Sequence, residues 1–205
     1  MLQSALVLGA TGLVGKSLVQ QLCVDDRYQT IICLIRKPLP NNFFSVKSDK
    51  LQLIVVDFDC LDDYQGYFYN SHTYVCLGTT LKRAGSKAAF RKVDFEYIHV
   101  AAQLARKAQS FVWISSVGAN ANSGNFYLKV KGELENAILG MSQLKHASAV
   151  RPSLLLGERQ ESRPLEKIGL FVSGILSPLL MGKLAKYKPV QARDVAKQMI
   201  RLQVF

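Results

Sequence analysis

A tyrosine and a lysine four residues apart, Tyr127 and Lys131, form the pair in this sequence best suited to proton transfer. On a helix, residues at this spacing lie on one face. A free phenol, with a pKa of about 10, is a poor acid or base at neutral pH. A neighbouring ammonium favours the phenolate and lowers that pKa by about 1–3 units, towards the useful range for general acid–base catalysis. The simpler alternative is a lysine whose aliphatic stem covers a half-buried ring.

Two serines, Ser115 and Ser116, precede this tyrosine by twelve and eleven residues. They follow the apolar stretch 110–114, which we predict to be a strand. A hydroxyl at a strand end can hydrogen-bond a substrate carbonyl while Tyr127 exchanges its proton. Lys131 then tunes the tyrosine and binds the ribose of a nicotinamide cofactor. This set predicts hydride transfer between such a cofactor and a small carbonyl or alcohol substrate.

A cofactor of this kind needs a site for its phosphates, and residues 5–16 supply a candidate. An apolar run ends at Gly9, two further glycines follow as Gly12 and Gly15, and a helical pattern begins there. Strand, glycine turn and helix in this order are typical of dinucleotide binding. Gly9 permits the sharp turn, Gly12 lets backbone N–H groups approach a pyrophosphate, and Gly15 lets the helix pack on the strand. The spacing departs from G-x-G-x-x-G, and the alternative is a glycine-rich turn that binds nothing.

The end of the second predicted strand indicates which dinucleotide is bound. An acidic residue about 20 positions after the glycines would favour NAD through the ribose 2′-hydroxyl. Here Arg36 stands 21 positions after Gly15, and Lys37 follows it. Cations attract a 2′-phosphate, and an arginine can bind it in a bidentate manner. We therefore expect NADP(H) to be preferred over NAD(H); the alternative is that both side chains lie in solvent.

Two more strand ends contribute candidate cofactor contacts. Asp57 and Phe58 follow the third predicted strand, where they could bond the adenine amine and cover its ring. The same residues could instead begin a helix, because acidic side chains suit a first turn. Gly78 and Thr79 follow the fourth strand, and their small size would let the backbone approach the cofactor ribose and phosphates.

Strands alternate with helical segments along the whole chain, without an internal repeat or linker. The predicted strands are 5–8, 29–35, 51–56, 73–77, 110–114 and 145–150. An apolar stripe predicts one long packing helix through Val93, Tyr97, Val100, Ala101, Leu104 and Ala108. We predict an α/β fold with a doubly wound parallel sheet, a Rossmann NAD(P)-binding domain. Its 205 residues fit a single domain, with those after about residue 151 forming a small substrate-side part.

The charge distribution favours anionic partners. The formal net charge is +11, with −1 carried by residues 1–70 and +12 by residues 71–205. Such a field attracts a phosphorylated cofactor, an acidic substrate or an acidic protein. The alternative is a solvated basic face, and nucleic acid is not expected because no zinc-finger, RRM or KH signature is present.

Cysteine usage and hydropathy suggest a compartment. Four cysteines, Cys23, Cys33, Cys60 and Cys76, lie singly without ligand-like spacing, so we expect buried free thiols and no metal site. The most apolar segment, 168–181, contains a proline and falls short of the ~20 residues that a spanning helix needs. With no signal-like N-terminal segment, we expect a cytoplasmic protein without a membrane partner.

Six segments together resemble the short-chain dehydrogenase/reductase superfamily. More narrowly, they resemble its atypical branch around the human HIV Tat-interacting protein oxidoreductase, which is NAD-dependent epimerase/dehydratase-like. They occur in the same order and cover most of the chain. The matching segments are Leu-Gly-Ala-Thr-Gly at 8–12, Val-Val-Asp-Phe at 55–58, Cys-Leu-Gly-Thr-Thr at 76–80, Tyr-Leu-Lys-Val-Lys-Gly-Glu at 127–133, Arg-Pro-Ser-Leu-Leu-Leu at 151–156 and Arg-Gln-Glu-Ser-Arg-Pro at 159–164.

The resemblance implies a set of cofactor contacts. Lys37 stands where the relative has arginine, which keeps the charge but weakens a bidentate grip. The superfamily's spacing favours Ser116 as the catalytic serine, with Ser115 as the alternative. The NADP(H)-binding residues implied by the resemblance are Thr11, Gly12, Leu13, Val14, Arg36, Lys37, Leu77, Gly78, Tyr127, Lys131, Leu155 and Arg163.

The leading interpretation is an NADP-dependent oxidoreductase of an unidentified small substrate. A second is an NADP(H)-binding regulatory or scaffold protein with little or no turnover. A third is a basic binding module without a nucleotide. The intact serine, tyrosine and lysine set favours the first over the second, since a pure sensor needs no proton donor.

Overall fold

The main sheet has six strands in the computed structural model, which describes residues 2–156 and 188–204. These strands are β1 (Gln3–Leu8), β2 (Tyr28–Ile35), β3 (Leu51–Val55), β4 (Ser71–Val75), β5 (Ser110–Ile114) and β6 (Ala147–Val150). All neighbouring strands are parallel, in the order β3-β2-β1-β4-β5-β6. This is the doubly wound order of dinucleotide-binding folds and confirms the predicted fold class. Each predicted strand exists, with ends shifted by at most two residues.

Helices cover both faces of the sheet. They are α1 (Leu13–Cys23), α2 (Leu81–Ala84), α3 (Lys87–Arg91), α4 (Tyr97–Leu104), α5 (Phe126–Leu139) and α6 (Ala192–Arg201). Shorter elements are 3₁₀ segments at Phe58–Phe68 and Ala105–Lys107, a π turn at Lys92–Glu96, and the paired strands β7 (Leu155–Leu156) and β8 (Val190–Gln191). Arg163 and most of the predicted substrate-side part lie outside the described residues.

Strand β1 shows how the sheet separates two cores. Ala5 and Val7 pack into the layer formed with α1 and α6, whereas Leu6 and Leu8 pack into the layer formed with α4 and α5. Each of these four residues is fully buried. Successive side chains of a strand point to opposite faces, so a parallel strand covered on both sides must be apolar throughout. This explains the continuous apolar run that leads into the glycine turn.

The long packing helix predicted around residues 93–108 is interrupted. A π turn at Lys92–Glu96 precedes α4, and a π turn contains one residue more than an α turn. That extra residue rotates the following positions by about 100° around the helix axis. Consequently Tyr97 is only partly buried, while Ile98 and Ala102 are fully buried against the sheet. The same turn places the carboxylate of Asp94 in the interior, where it is 1% exposed.

A hydrogen-bonded cluster lies at the amino-terminal ends of β2 and β4. The Tyr28 hydroxyl lies 2.8 Å from Nδ1 of His72 and 2.7 Å from the Tyr74 hydroxyl. Nε2 of His72 lies 2.8 Å from the carbonyl oxygen of Val204. Burial lowers the pKa of His72 and raises the pKa of Tyr28 to about 12. Through the Val204 carbonyl, this cluster holds the last described residues at that end of the sheet, away from the carboxyl ends of its strands.

The cysteines are all free, as predicted, but they are not all buried. Cys23 and Cys33 are buried and Cys76 is partly buried, whereas Cys60 is exposed. Cys60 lies in the 3₁₀ segment after β3, whose buried face is formed by other residues. Within residues 2–156 and 188–204, no cluster of His, Cys, Asp and Glu could hold a metal ion. No helix in the same ranges has the length and apolar character needed to cross a membrane.

Candidate functional site

A crevice of about 700 Å³ opens at the carboxyl ends of β1, β4 and β5, and a smaller pocket of about 200 Å³ adjoins it. The two share Gly12, Gly78 and Thr79 among their walls. The crevice therefore continues into the pocket, as an elongated ligand requires. Predicted site residues on these walls are Gly9, Thr11, Gly12, Leu13, Val14, Arg36, Phe58, Leu77, Gly78, Thr79, Ser115, Ser116, Tyr127, Lys131 and Leu155.

Three predicted site residues do not line these walls. Lys37 is exposed beyond the end of β2. Asp57 accepts a hydrogen bond from the backbone N–H of Asp59 at 2.9 Å, so it caps the 3₁₀ segment, which was the alternative interpretation of this position. Gly15 is buried inside α1. Arg163 is outside the described residues, and its predicted role stays a prediction.

The three glycines of the turn differ in whether the packing would tolerate a side chain. Gly9 has φ of +84°, and a Cβ atom there would lie 2.6 Å from the carbonyl carbon of Cys76. A Cβ at Gly15 would lie 2.1 Å from the carbonyl oxygen of Gly9. Both glycines are therefore required by the packing of the chain itself. At Gly12, the nearest atom to a Cβ would be the Gly9 oxygen at 3.4 Å, so a side chain there meets no severe clash.

The glycine turn leaves the start of α1 open to the crevice. This glycine is the N-cap of α1 and provides no side-chain cap for the helix. The first-turn N–H groups of a helix have no intrahelical acceptors, and the helix dipole gives this end a partial positive charge. Leu13 and Val14 of that turn line the crevice. The missing side chain at Gly12 leaves these N–H groups accessible from the crevice, which a phosphate site requires.

Lys131 is held by a partner that the sequence analysis missed. Its Nζ lies 2.8 Å from Oδ1 of Asp94, and the two side chains are 3% and 1% exposed. The second carboxylate oxygen of Asp94 accepts the backbone N–H of Thr79 at 2.7 Å. The positive charge of Lys131 is therefore matched by a buried carboxylate. One acidic group ties the lysine on α5 to the loop that follows β4.

Helix α5 presents Tyr127 and Lys131 to the same crevice. It begins after Asn125, whose side chain accepts the Leu128 N–H at 3.2 Å. The Tyr127 ring contacts Phe90, with centroids 5.9 Å apart. These contacts fix the first turn of the helix, which carries Tyr127, while Lys131 follows one turn later on the same crevice wall.

Gly132 is a second residue that the sequence analysis missed. A Cβ atom at this position would lie 2.2 Å from the backbone nitrogen of Ala121, so the helix packs directly on the preceding loop. A glycine inside a helix costs about 1 kcal/mol relative to alanine, which is a usable signal of such close packing. The contact holds α5 against the loop that joins it to β5.

The two serines differ in their hydrogen bonding. The Ser116 hydroxyl donates to the carbonyl oxygen of Val117 at 3.3 Å. The Ser115 hydroxyl is buried, with the residue 2% exposed, and has no partner among residues 2–156 and 188–204. A buried hydroxyl without a partner costs free energy, and this one lines the crevice, where it is available to a ligand. The geometry thus favours Ser115, whereas the superfamily's spacing favoured Ser116.

The walls of the crevice are strongly basic. Lys16, Arg83, Lys131 and Arg193 all contribute to them. Among the described residues that line the crevice and its pocket, Asp94 is the one acidic side chain, and it is already paired with Lys131. Such an excess of positive charge would attract an anionic ligand, whose binding stays a prediction.

Known sequences resemble the chain over nearly its whole length. No model of a known protein family matches it. The mitochondrial protein FMP52 of Debaryomyces hansenii is 33% identical over an alignment of 210 residues, covering 97% of this chain and 87% of the relative. HTATIP2 of Rattus norvegicus is 35% identical over 167 residues, covering 80% of this chain and 67% of the relative. These similarities confirm the resemblance found in the motifs.

Solved structures show the same fold. WbmH of Bordetella bronchiseptica, in complex with NAD⁺, superposes with a TM-score of 0.71 at 12% identity, covering 98% of this chain and 72% of that one. The PhqB reductase domain of Penicillium fellutanum gives 0.70 at 15% identity. This match covers 98% of the present chain and 64% of the PhqB domain. At these identities the likeness establishes the fold alone.

The expected cytoplasmic location is contradicted by these relatives. The FMP52 proteins of Debaryomyces hansenii and Candida albicans are named as mitochondrial, and the second is 35% identical over 204 residues. The expectation relied on unpaired cysteines and on the lack of a signal-like or spanning segment. Those features do not distinguish the cytoplasm from an organelle interior.

The glycine turn gives a paired prediction. Gly15→Ala should destabilise the fold by about 2 kcal/mol or more, because its methyl group would overlap the backbone of Gly9. Gly12→Ala should leave the melting temperature nearly unchanged but weaken dinucleotide binding at least tenfold. Thermal unfolding and calorimetric titration with NADP⁺ measure the two effects. If Gly12→Ala bound NADP⁺ like the unmodified protein, the phosphate site would lie elsewhere.

Proposed function

This chain belongs to the family of the FMP52 and HTATIP2 proteins, and from that premise we propose that it is an NADP(H)-dependent oxidoreductase of the short-chain dehydrogenase/reductase type. Its substrate would be a small carbonyl or alcohol. One observation carries the proposal: a single crevice joins the glycine turn to Ser115, Tyr127 and Lys131. The names of the FMP52 relatives support a mitochondrial location for the protein.

The two ends of the dinucleotide would occupy different parts of the site. The Gly12 turn and the first turn of α1 would hold the pyrophosphate. The smaller pocket, lined by Arg36, Phe58 and Tyr97, would hold the adenosine. Arg36 would bind the 2′-phosphate, which supports a preference for NADP(H). The nicotinamide end would then lie towards Tyr127 in the larger crevice.

Each polar side chain at that end has a distinct part in the reaction. NADPH, when bound, supplies a hydride to the carbonyl carbon of the substrate. The Ser115 hydroxyl donates a hydrogen bond to the carbonyl oxygen, which uses its free bonding capacity. The Tyr127 hydroxyl gives its proton to that oxygen as charge develops on it. Lys131, fixed by Asp94, would hold the cofactor ribose.

Cofactor preference tests the assignment of Arg36. Arg36→Ala should weaken NADP⁺ binding about tenfold, because a charge-assisted contact to the 2′-phosphate is lost, and leave NAD⁺ binding unchanged. Lys37→Ala is the matched control, since it removes the same charge from the neighbouring exposed position outside the pocket wall. Calorimetric titration with both dinucleotides measures the effect. Equal weakening of NADP⁺ and NAD⁺ would refute the assignment.

Turnover tests the catalytic assignment. A panel of small aldehydes and ketones is screened for oxidation of NADPH, and variants are compared on the best substrate. Tyr127→Phe should lower kcat at least 10³-fold with unchanged NADPH affinity, because only the proton donor is lost. Ser115→Ala should lower kcat more than Ser116→Ala. The assignment fails if Tyr127→Phe keeps full activity. A protein that binds NADPH but reduces no compound would instead be a cofactor-binding regulator or scaffold.

A further inference from the structure

Arg83 stands where the two parts of the proposed cofactor site meet. Seven of the described residues line both the large crevice and the adenosine pocket, and Arg83 is the charged one among them. The other residues common to both walls surround the glycine turn and the end of β4. They are Thr11, Gly12, Cys76, Leu77, Gly78 and Thr79.

The backbone that carries Arg83 is fixed, although the residue is exposed. Its N–H donates to the Thr80 side-chain oxygen at 3.2 Å, which caps the single turn of α2. At the other end Gly85 takes φ of +79°, and its N–H donates to the Leu81 carbonyl at 3.0 Å. Thr79, just before this turn, is bound to the buried carboxylate of Asp94. These contacts thereby fix the position of the Arg83 Cα atom, and the direction of its Cα–Cβ bond, relative to the crevice.

The guanidinium has no acidic partner in the described part of the chain. No ion pair among residues 2–156 and 188–204 includes Arg83. Its neighbour Lys82 carries the same charge, and Asp94, the acidic residue of the crevice wall, is occupied by Lys131. An arginine without an acidic partner, next to the proposed phosphate site of the glycine turn, is suited to bind an anion through two parallel hydrogen bonds.

We propose that Arg83 binds the pyrophosphate of NADP(H) from the β4 side, while the glycine turn binds it from the β1 side. The inference rests on the proposed function, since it needs a dinucleotide in the crevice. The pyrophosphate is favoured over the 2′-phosphate because it joins the two halves of the cofactor, and Arg83 lies where the two pockets join. Arg36, in contrast, lines only the adenosine pocket.

The test compares Arg83→Ala with Lys82→Ala by calorimetric titration. Both variants remove one positive charge from the same exposed turn, so they share any loss of long-range attraction. Arg83→Ala should weaken NADP⁺ binding about tenfold, as expected for a lost charge-assisted contact, and Lys82→Ala less than twofold. Arg83→Lys keeps the charge but loses the planar fork, so it should recover only part of the affinity.

A second probe identifies the phosphate that is bound. Adenosine 2′-monophosphate carries the 2′-phosphate but no pyrophosphate, so Arg83→Ala should change its affinity less than twofold. A tenfold loss for this nucleotide would assign Arg83 to the 2′-phosphate and overturn the proposal. Identical NADP⁺ affinities of Arg83→Ala and Lys82→Ala would also overturn it, while leaving the proposed function intact. Failure of the unmodified protein to bind NADP⁺ would instead refute the proposed function.

Discussion

The buried ion pair between Lys131 and Asp94 holds together the parts of the molecule on which the site depends. It joins α5 to the π turn, and through the Thr79 N–H it joins both to the loop after β4. Removing one charge of a buried pair leaves the other uncompensated and costs about 3–5 kcal/mol. The lysine therefore cannot move to another position without a large loss of stability. Its place relative to Tyr127 and the proposed cofactor is set before any ligand arrives.

The sheet order supplies the crevice in which this pair acts. The chain leaves β1 for one side of the sheet and β4 for the other, so a gap opens between the loops that follow these strands. Gly9 and Gly15 let the backbone fold tightly at the gap, and Gly12 keeps its entrance open. The serines that follow β5 and the polar residues of α5 then line the far end of the same gap. The proposed phosphate site and the proposed proton donor thereby lie along one continuous space.

Much of this arrangement could be predicted from the sequence because it depends on local patterns. Apolar runs separated by turn residues located every strand of the main sheet. The glycine turn was placed correctly, since a strand and a helix flank it directly. Tyr127 and Lys131 lie on one face because any helix puts residues four apart together. These features follow from the regular residue spacing of strands and helices, and tertiary packing did not change that spacing in these segments.

The features that were missed depend on contacts between distant segments. Asp94 lies in a stretch whose apolar spacing predicts a regular helix, and the π turn that buries it has no simple sequence signal. Whether Asp57 caps a helix or faces adenine depends on how the chain leaves β3. The choice between Ser115 and Ser116 requires knowing which hydroxyl already has a partner. The compartment was mispredicted because free cysteines and moderate hydropathy are shared by several compartments.

A double-mutant cycle on the free energy of unfolding tests the central role of the ion pair most directly. Asp94→Asn and Lys131→Met are each expected to destabilise the protein by about 3 kcal/mol, because each leaves one buried charge unmatched. The double variant buries neither charge, so it should be markedly more stable than the sum of the two losses predicts. A coupling energy of about 2 kcal/mol or more is the predicted result. Simple additivity of the two losses would contradict the account.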